Sequence, residues 1–121
     1  GLPQISSIGE MREAGEAILS AGAEYVLVKG GHLTEGPAVD LLIGHGEVLL
    51  LSSPRHPSPA HGTGCCLSAA ITAYIAMGVP VPGACRAAKE FVTLAISSAV
   101  GSRSGHPMVQ PCYRKDFGGV L

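Results

Sequence analysis

The sequence predicts a layered α/β domain that is only part of a complete one. Apolar residues recur at helical spacing in three segments, and three short apolar runs with the length of strands lie after the first of them. The resulting order is α-β-β-β-α-α, in which two closing helices have only three strands to cover, whereas a complete doubly wound sheet has more. The 121 residues suffice for one domain. Hydrophobic residues make up 46% of the chain and charged residues 14%, against roughly a quarter in ordinary soluble domains.

The first predicted helix spans about residues 8 to 21. Ser7-Ile8-Gly9-Glu10 fits a capping box, in which a serine caps the helix and a glutamate reaches back to it. Gly22 supplies a stop signal. One face of this helix is expected to carry the apolar residues Ile8, Met11, Ala14, Ile18 and Leu19.

The next segments have the length and composition of strands. Tyr25-Val26-Leu27-Val28 is an uninterrupted apolar run, which predicts a strand buried on both faces and half of a parallel α/β unit. Two further runs, 38–43 and 47–51, are joined by Gly44-His45-Gly46 and predict a β-hairpin. The three prolines in 54–59 predict a loop.

Two long helices are predicted in the second half of the chain. The first is marked by Leu67, Ala70, Ile71, Tyr74 and Ile75 and ends near Gly78. After a break at 79–82, the second is marked by Ala84, Ala87, Ala88, Phe91, Ala95 and Ser98 and ends near Gly101. The tail 102–121 shows no period and is expected to be irregular.

Charge and cysteine usage exclude several classes of function. The net charge of −1, with only eight Lys and Arg residues, argues against nucleic acid or a membrane surface as a partner. The cysteines at 65, 66, 85 and 112 have no C-x-x-C spacing, so neither a zinc ribbon nor a disulfide framework is indicated. A reducing cytoplasm is therefore the expected location. No apolar run approaches the length of a membrane span, and the start of the chain does not resemble a signal peptide.

The segment 61–70, HGTGCCLSAA, is the strongest candidate for a functional site. A glycine turn opens directly onto a helical pattern, and the unpaired N–H groups and positive dipole end of a helix start bind anions such as phosphate. The same field favours thiolate at a cysteine placed there. The alternative is an ordinary helix start with an inert buried cysteine. His56, His61, Cys65 and Cys66 lack a recognised ligand spacing, so no metal site is predicted.

Several motifs together resemble one known family. The segments Val26-Leu27-Val28-Lys29-Gly30-Gly31-His32-Leu33 and His61-Gly62-Thr63-Gly64-Cys65, with Asp40 and Pro54-Arg55 between them, are similar to the hydroxymethylpyrimidine (phosphate) kinases of thiamine biosynthesis, in the ribokinase-like superfamily. The resemblance extends to about residue 100 and corresponds to the C-terminal half of a family member. It implies a partial ribokinase-like α/β/α layered domain over 1–101, followed by the tail 102–121.

The resemblance also implies roles for individual residues. Gly62, Thr63, Gly64 and Cys65 would form an anion hole for the transferring phosphoryl group, with Cys65 as the base that deprotonates the hydroxymethyl group. Most ribokinase-like enzymes have an aspartate at that position. The family usually has threonine where Cys66 stands, so this chain lacks a hydroxyl in the first helical turn.

Two lysines and two glycines match the nucleotide-binding positions of the family. Lys29 corresponds to a lysine near the nucleotide phosphates, beside Gly30 and Gly31, which allow close backbone approach. Lys89 corresponds to a lysine that faces the nucleotide pocket. From residue types alone, Lys29 could instead be a solvated lysine at a strand end, and Lys89 could extend along an apolar stripe to water.

The family implies transfer of the γ-phosphoryl group of ATP, with Mg²⁺, to the free or phosphorylated pyrimidine. The acidic residues near magnesium belong to the half of the family fold that this sequence does not match. Two alternatives stay open: a pyridoxal-type kinase, although such kinases more often carry aspartate at the position of Cys65, and a truncated, non-catalytic module that binds nucleotide or a partner. An unpaired sheet edge and uncovered helix faces predict a homodimer or a larger assembly.

Overall fold

A computed structural model describes residues 5–30, 37–54 and 63–97 of the chain. Its elements follow the predicted order: α1 (Ile8–Ser20), β1 (Tyr25–Val28), β2 (Ala38–Gly44), β3 (Glu47–Ser53), α2 (Thr63–Ala76) and α3 (Val81–Ser97). The chain divides into two compact units, Gly1–Arg55 and His56–Leu121. The first unit holds α1 and the sheet, and the second holds α2 and α3. The predicted loop at 55–59, the helix end near Gly101 and the tail 102–121 lie outside the described residues.

Helix α1 begins and ends where the local signals predict. The Ser7 hydroxyl accepts a hydrogen bond from the Glu10 backbone N–H at 3.2 Å. The Glu10 carboxylate accepts the backbone N–H of Ser6 at 2.6 Å, one residue before the cap. Gly22 follows the helix with φ +116°, a conformation that favours glycine. The predicted serine cap and stop signal are thus both present, whereas the glutamate of the predicted capping box binds the N–H of Ser6 in place of that of Ser7.

The buried face of α1 differs from the predicted one. Met11 and Gly15 are buried, whereas Ile8 and Ile18 are 42% and 55% exposed. A Cβ at Gly15 would overlap the Ile43 side chain, so the helix packs at close range against the sheet. The prediction for Ile8 and Ile18 was wrong because glycine carries no hydrophobic signal, although its lack of a side chain is what allows this close packing.

The sheet has three strands in the order β1-β2-β3, and both pairings are antiparallel. The predicted hairpin is confirmed. Its two-residue loop, His45-Gly46, has φ values of 51° and 76°, as a type I′ turn requires. The expectation of burial on both faces was wrong for β1, whose residues are only half-buried in the described structure. Its partner among the described strands, β2, pairs with it antiparallel, and its place in a parallel unit stays a prediction. An apolar run reports hydrophobicity and carries no information about strand direction.

The described part of the second unit consists of the two predicted long helices. Helix α3 begins at Val81, with Pro82 in its first turn, where the missing N–H has no intrahelical acceptor in any case. It buries Ala84, Cys85, Ala88, Val92 and Ala95. The buried side of α2 is narrower than predicted, since Leu67 is buried but Ile75 is 43% exposed. Among the described residues, no helix is both long and apolar enough to cross a membrane.

Candidate functional site

The first turn of α2 contains three of the predicted site residues. Thr63 is half-buried, and Gly64 and Cys65 are exposed at the start of the helix. The space around Gly64 is open, because a Cβ built there would meet no atom within 4 Å. This turn holds no acidic side chain that would compete with a bound anion. The N–H groups of the turn can therefore accept an anion from solvent. Gly62 lies outside the described residues.

The Cys65 thiol is the accessible one among the described cysteines. Cys65, Cys66 and Cys85 are all free thiols, and only Cys65 is exposed. Burial raises the pKa of the Cys66 thiol and that of the Cys85 thiol above their ordinary values, because the thiolate loses solvation. The alternative of an inert buried cysteine therefore describes Cys85, which is 2% exposed, and does not describe Cys65.

A second polar cluster lies in the other unit, directly after β1. The Lys29 ammonium donates to Oδ2 of Asp40 at 2.6 Å, and the Gly30 backbone N–H donates to Oδ1 of the same carboxylate at 3.0 Å. Asp40 is 2% exposed, while the Lys29 side chain is 51% exposed. An ammonium has three protons to donate, and one of them goes to Asp40. The solvent-facing part of Lys29 can therefore meet an anion.

Gly30 is required by a close approach of two backbone segments. It is buried, and a Cβ at this position would overlap the Val39 carbonyl oxygen and lie 3.0 Å from Cε of Met11. The tight packing that requires glycine at position 30 is therefore packing against β2. Gly31, its predicted companion, lies outside the described residues.

Asp40 was named in the sequence only as part of a motif and received no role. The signal that could have singled it out is its position as the charged residue within the apolar run Ala38-Val39-Asp40-Leu41-Leu42-Ile43. A charge buried in such a strand requires a partner of opposite charge or hydrogen-bond donors. Its partner, Lys29, comes from a different strand end, which periodicity does not reveal.

Lys89 lies half-buried on α3, in the same unit as the start of α2. Its backbone carbonyl accepts a hydrogen bond from the Thr93 hydroxyl at 2.8 Å. Its approach to a nucleotide stays a prediction. Within 5–30, 37–54 and 63–97, no group of three or more His, Cys, Asp or Glu residues could hold a metal ion.

These features define a class of protein. The helix start in one unit and the exposed lysine in the other are each suited to contact phosphate groups. The model of the phosphomethylpyrimidine kinase family matches residues 1–110 of the chain. The chain belongs to this family, as its sequence motifs predict.

Individual relatives support the same assignment. The hydroxymethylpyrimidine/phosphomethylpyrimidine kinase of Streptomyces coelicolor is 47% identical over 90 residues, which cover 74% of this chain and 33% of the relative. The pyridoxine kinase of Bacillus subtilis is 40% identical over 101 residues, covering 82% of this chain and 37% of the relative. The chain thus spans about a third of the length of these relatives.

The solved structures confirm the ribokinase-like α/β fold. The pyridoxal kinase of Staphylococcus aureus, in complex with AMP-PCP and pyridoxal, has a TM-score of 0.87 at 32% identity. The match covers 95% of this chain and 44% of that one. The predicted fold class, a partial ribokinase-like domain, is therefore confirmed.

Proposed function

We propose that this chain carries the phosphoryl-transfer portion of a kinase of thiamine biosynthesis. The reaction moves the γ-phosphoryl group of ATP to the hydroxymethyl oxygen of hydroxymethylpyrimidine, to the phosphate of its monophosphate, or to both. The observation that carries this proposal is the exposed Cys65 thiol in the open, acid-free first turn of α2, in a chain of the phosphomethylpyrimidine kinase family.

In this turn, the backbone N–H groups would bind the phosphoryl group and the Cys65 side chain would accept a proton. The backbone N–H groups of 62–65 hold the oxygens of the transferring phosphoryl group and stabilise their charge. The Cys65 thiolate accepts the proton of the hydroxymethyl group, whose oxygen then bonds to the γ-phosphorus. The bond from that phosphorus to the bridging oxygen of ATP breaks, and ADP leaves.

The lysines and the metal ion would act on the nucleotide. Lys29 contacts the ATP phosphates through its solvent-facing side, and Lys89 faces the nucleotide pocket. Mg²⁺ supplies charge neutralisation on the ATP phosphates. The described residues include no cluster suited to hold it, and the Asp40 carboxylate is already bound by Lys29 and Gly30. We therefore assign no ligand of Mg²⁺ among the residues that the structure describes.

A direct assay tests this proposal. The chain is incubated with ATP, Mg²⁺ and either hydroxymethylpyrimidine or its monophosphate, and ADP and the phosphorylated product are measured by chromatography. Product formation with either pyrimidine supports the assignment. Binding of ATP without any transfer would instead support the non-catalytic module, and absence of ATP binding would contradict a kinase role for this portion.

A pyridoxal-type kinase is the second candidate. It is favoured by the 40% identity to the pyridoxine kinase of Bacillus subtilis and by the fold match to a pyridoxal kinase. Competition between pyridoxal and hydroxymethylpyrimidine for the same phosphoryl donor separates the two candidates. We expect the pyrimidine to be preferred, because Cys65 stands where pyridoxal kinases more often carry aspartate.

We further propose a cytoplasmic location and a homodimer or larger assembly. The free thiols of Cys65, Cys66 and Cys85 are compatible with a reducing compartment. Exposed apolar side chains, among them Leu50 and Met77, support self-association.

A further inference from the structure

We propose that Asp40 is a positioning residue, which holds Lys29 and the backbone at Gly30 in the arrangement that meets the nucleotide phosphates. This inference rests on the proposed function, because it takes ATP as the ligand of Lys29. In this proposal Asp40 acts on the nucleotide through the lysine.

The first support is the rigidity of the carboxylate. Asp40 lies on β2, the central strand of the three, where it pairs with Leu51 of β3. Its neighbour Leu41 pairs with Val28, the last residue of β1. The carboxylate is thus fixed by the ladder directly beside the point where the chain leaves β1.

The second support is that the two carboxylate oxygens of Asp40 accept hydrogen bonds from different donors. Oδ1 accepts the Gly30 N–H at 3.0 Å and so orients the backbone, while Oδ2 accepts the Lys29 ammonium at 2.6 Å and so orients the side chain. A free lysine side chain samples many rotamers. Restricting it before the ligand arrives lowers the cost of binding.

The third support is the asymmetry of burial. The Asp40 side chain is 2% exposed, whereas the Lys29 side chain is 51% exposed. The carboxylate is therefore buried behind a lysine whose side chain is partly exposed to solvent. This arrangement presents a positive charge to an incoming anion and keeps the negative charge away from it.

Because Asp40 is negatively charged, the direction in which ATP affinity changes on its removal is the deciding result. If the carboxylate acted only through its field, removing it would strengthen the binding of anionic ATP, because like charges repel. If it positions Lys29, its removal weakens ATP binding. Asp40→Asn is the suitable variant, because an amide oxygen can still accept the Gly30 N–H while the other oxygen, which binds the ammonium, becomes an NH₂ group.

The experiment measures the dissociation constants of ATP and of adenosine by calorimetry for the full 121-residue chain and its variants. We expect Asp40→Asn and Lys29→Met each to weaken ATP binding about tenfold, the scale of one charge-assisted hydrogen bond, and to leave adenosine binding unchanged. The double variant should bind ATP no more weakly than Lys29→Met, because both changes act through one ammonium.

Ile43→Ala serves as the structural control, because Ile43 is buried on the same strand as Asp40 but, three residues further along, lies on the opposite face of the sheet. It should lower the melting temperature, and any change in affinity should be the same for ATP as for adenosine. The inference is overturned if Asp40→Asn binds ATP as tightly as the unchanged chain or more tightly. It is also overturned if ATP and adenosine lose affinity equally, or if the double variant shows additive losses.

A measurement on the unchanged chain keeps the inference testable should Asp40→Asn fail to fold. In ¹⁵N NMR, the Lys29 ammonium and Gly30 amide signals should shift on addition of ATP and stay in place with adenosine. ATP binding that leaves both signals unmoved overturns the inference and leaves the proposed function standing. A chain that binds no ATP at all contradicts the proposed function itself, and the inference falls with it.

Discussion

At the scale of single residues, the proposed base and the proposed phosphate ligand differ in what positions them. The thiol of Cys65 is placed by a helix start and is open to solvent. The ammonium of Lys29 is placed by a buried carboxylate from a neighbouring strand. The first can be read from consecutive residues, whereas the second depends on a contact between residues 11 positions apart.

Replacing the proposed base should slow the two phosphorylation reactions to different degrees. With Cys65→Ala, we expect kcat for the hydroxymethyl substrate to fall at least about 100-fold, the lower end of general-base contributions. The monophosphate should lose less than about tenfold, because its phosphate oxygen is already largely deprotonated at neutral pH. Steady-state kinetics with each substrate measure the difference.

Cys66→Thr is the matched control, because it restores the residue that the family usually has and leaves Cys65 in place. Its rates should stay close to those of the unchanged chain. Equal losses on both substrates in Cys65→Ala would show that this residue acts in binding or folding and does not serve as a base.

Alkylation should distinguish the three described thiols. We expect iodoacetamide at pH 8 to label Cys65 first, because it is exposed, while burial raises the pKa of Cys66 and that of Cys85 and so lowers their thiolate fractions. As the pH rises past the ordinary thiol pKa, labelling of Cys66 should continue to accelerate, because its own pKa lies higher. Peptide mass spectrometry follows each site, and labelling of Cys66 as fast as Cys65 at pH 8 would contradict the placement.

At the scale of elements, the packing of α1 on the sheet depends on a glycine. Gly15→Ala places a methyl group against the side chains of Ile43 and Val28, so one or both must move. We expect the free energy of unfolding to fall by about 1–3 kcal/mol, as for an overpacked core. Urea unfolding followed by circular dichroism measures the change.

Gly9→Ala is the control in the same helix. Gly9 is exposed, and a Cβ there would meet only the Ser7 hydroxyl, at 3.8 Å. Alanine should stabilise the helix by up to about 1 kcal/mol, because it loses less backbone entropy than glycine. If both alanine variants shifted stability in the same direction, close packing at Gly15 would not be the cause.

At the scale of the whole molecule, exposed apolar side chains lead us to expect self-association. Leu50 on β3 is 58% exposed, and Ile75 and Met77 at the end of α2 are 43% and 75% exposed. Light scattering should report at least a dimer at micromolar concentration. Replacing the apolar residue that lies in the interface, by Leu50→Gln or by Met77→Gln, should lower the measured mass of the assembly. A monomer at the highest soluble concentration would contradict the expectation.

The sequence predicted the elements better than it predicted their burial. Ser7, Gly22 and the His45-Gly46 turn are local signals, and each stands where the structure has a helix end or a hairpin loop. Ile8 and Ile18 were assigned to a buried face and are exposed, because the packing centre is Gly15. Of the predicted site residues, Thr63, Gly64 and Cys65 share one helical turn, while Lys29 and Gly30 share Asp40.

The sequence by itself determined the order of helices and strands, the helix cap, the hairpin turn and the family, because each rests on residues that are close together in the chain. Only the tertiary structure decided which side of α1 meets the sheet, that β1 pairs antiparallel with β2, and that Asp40 lies behind Lys29. Burial and ion pairing depend on which segments, distant in the chain, come together in the fold, and a local sequence pattern does not contain that information.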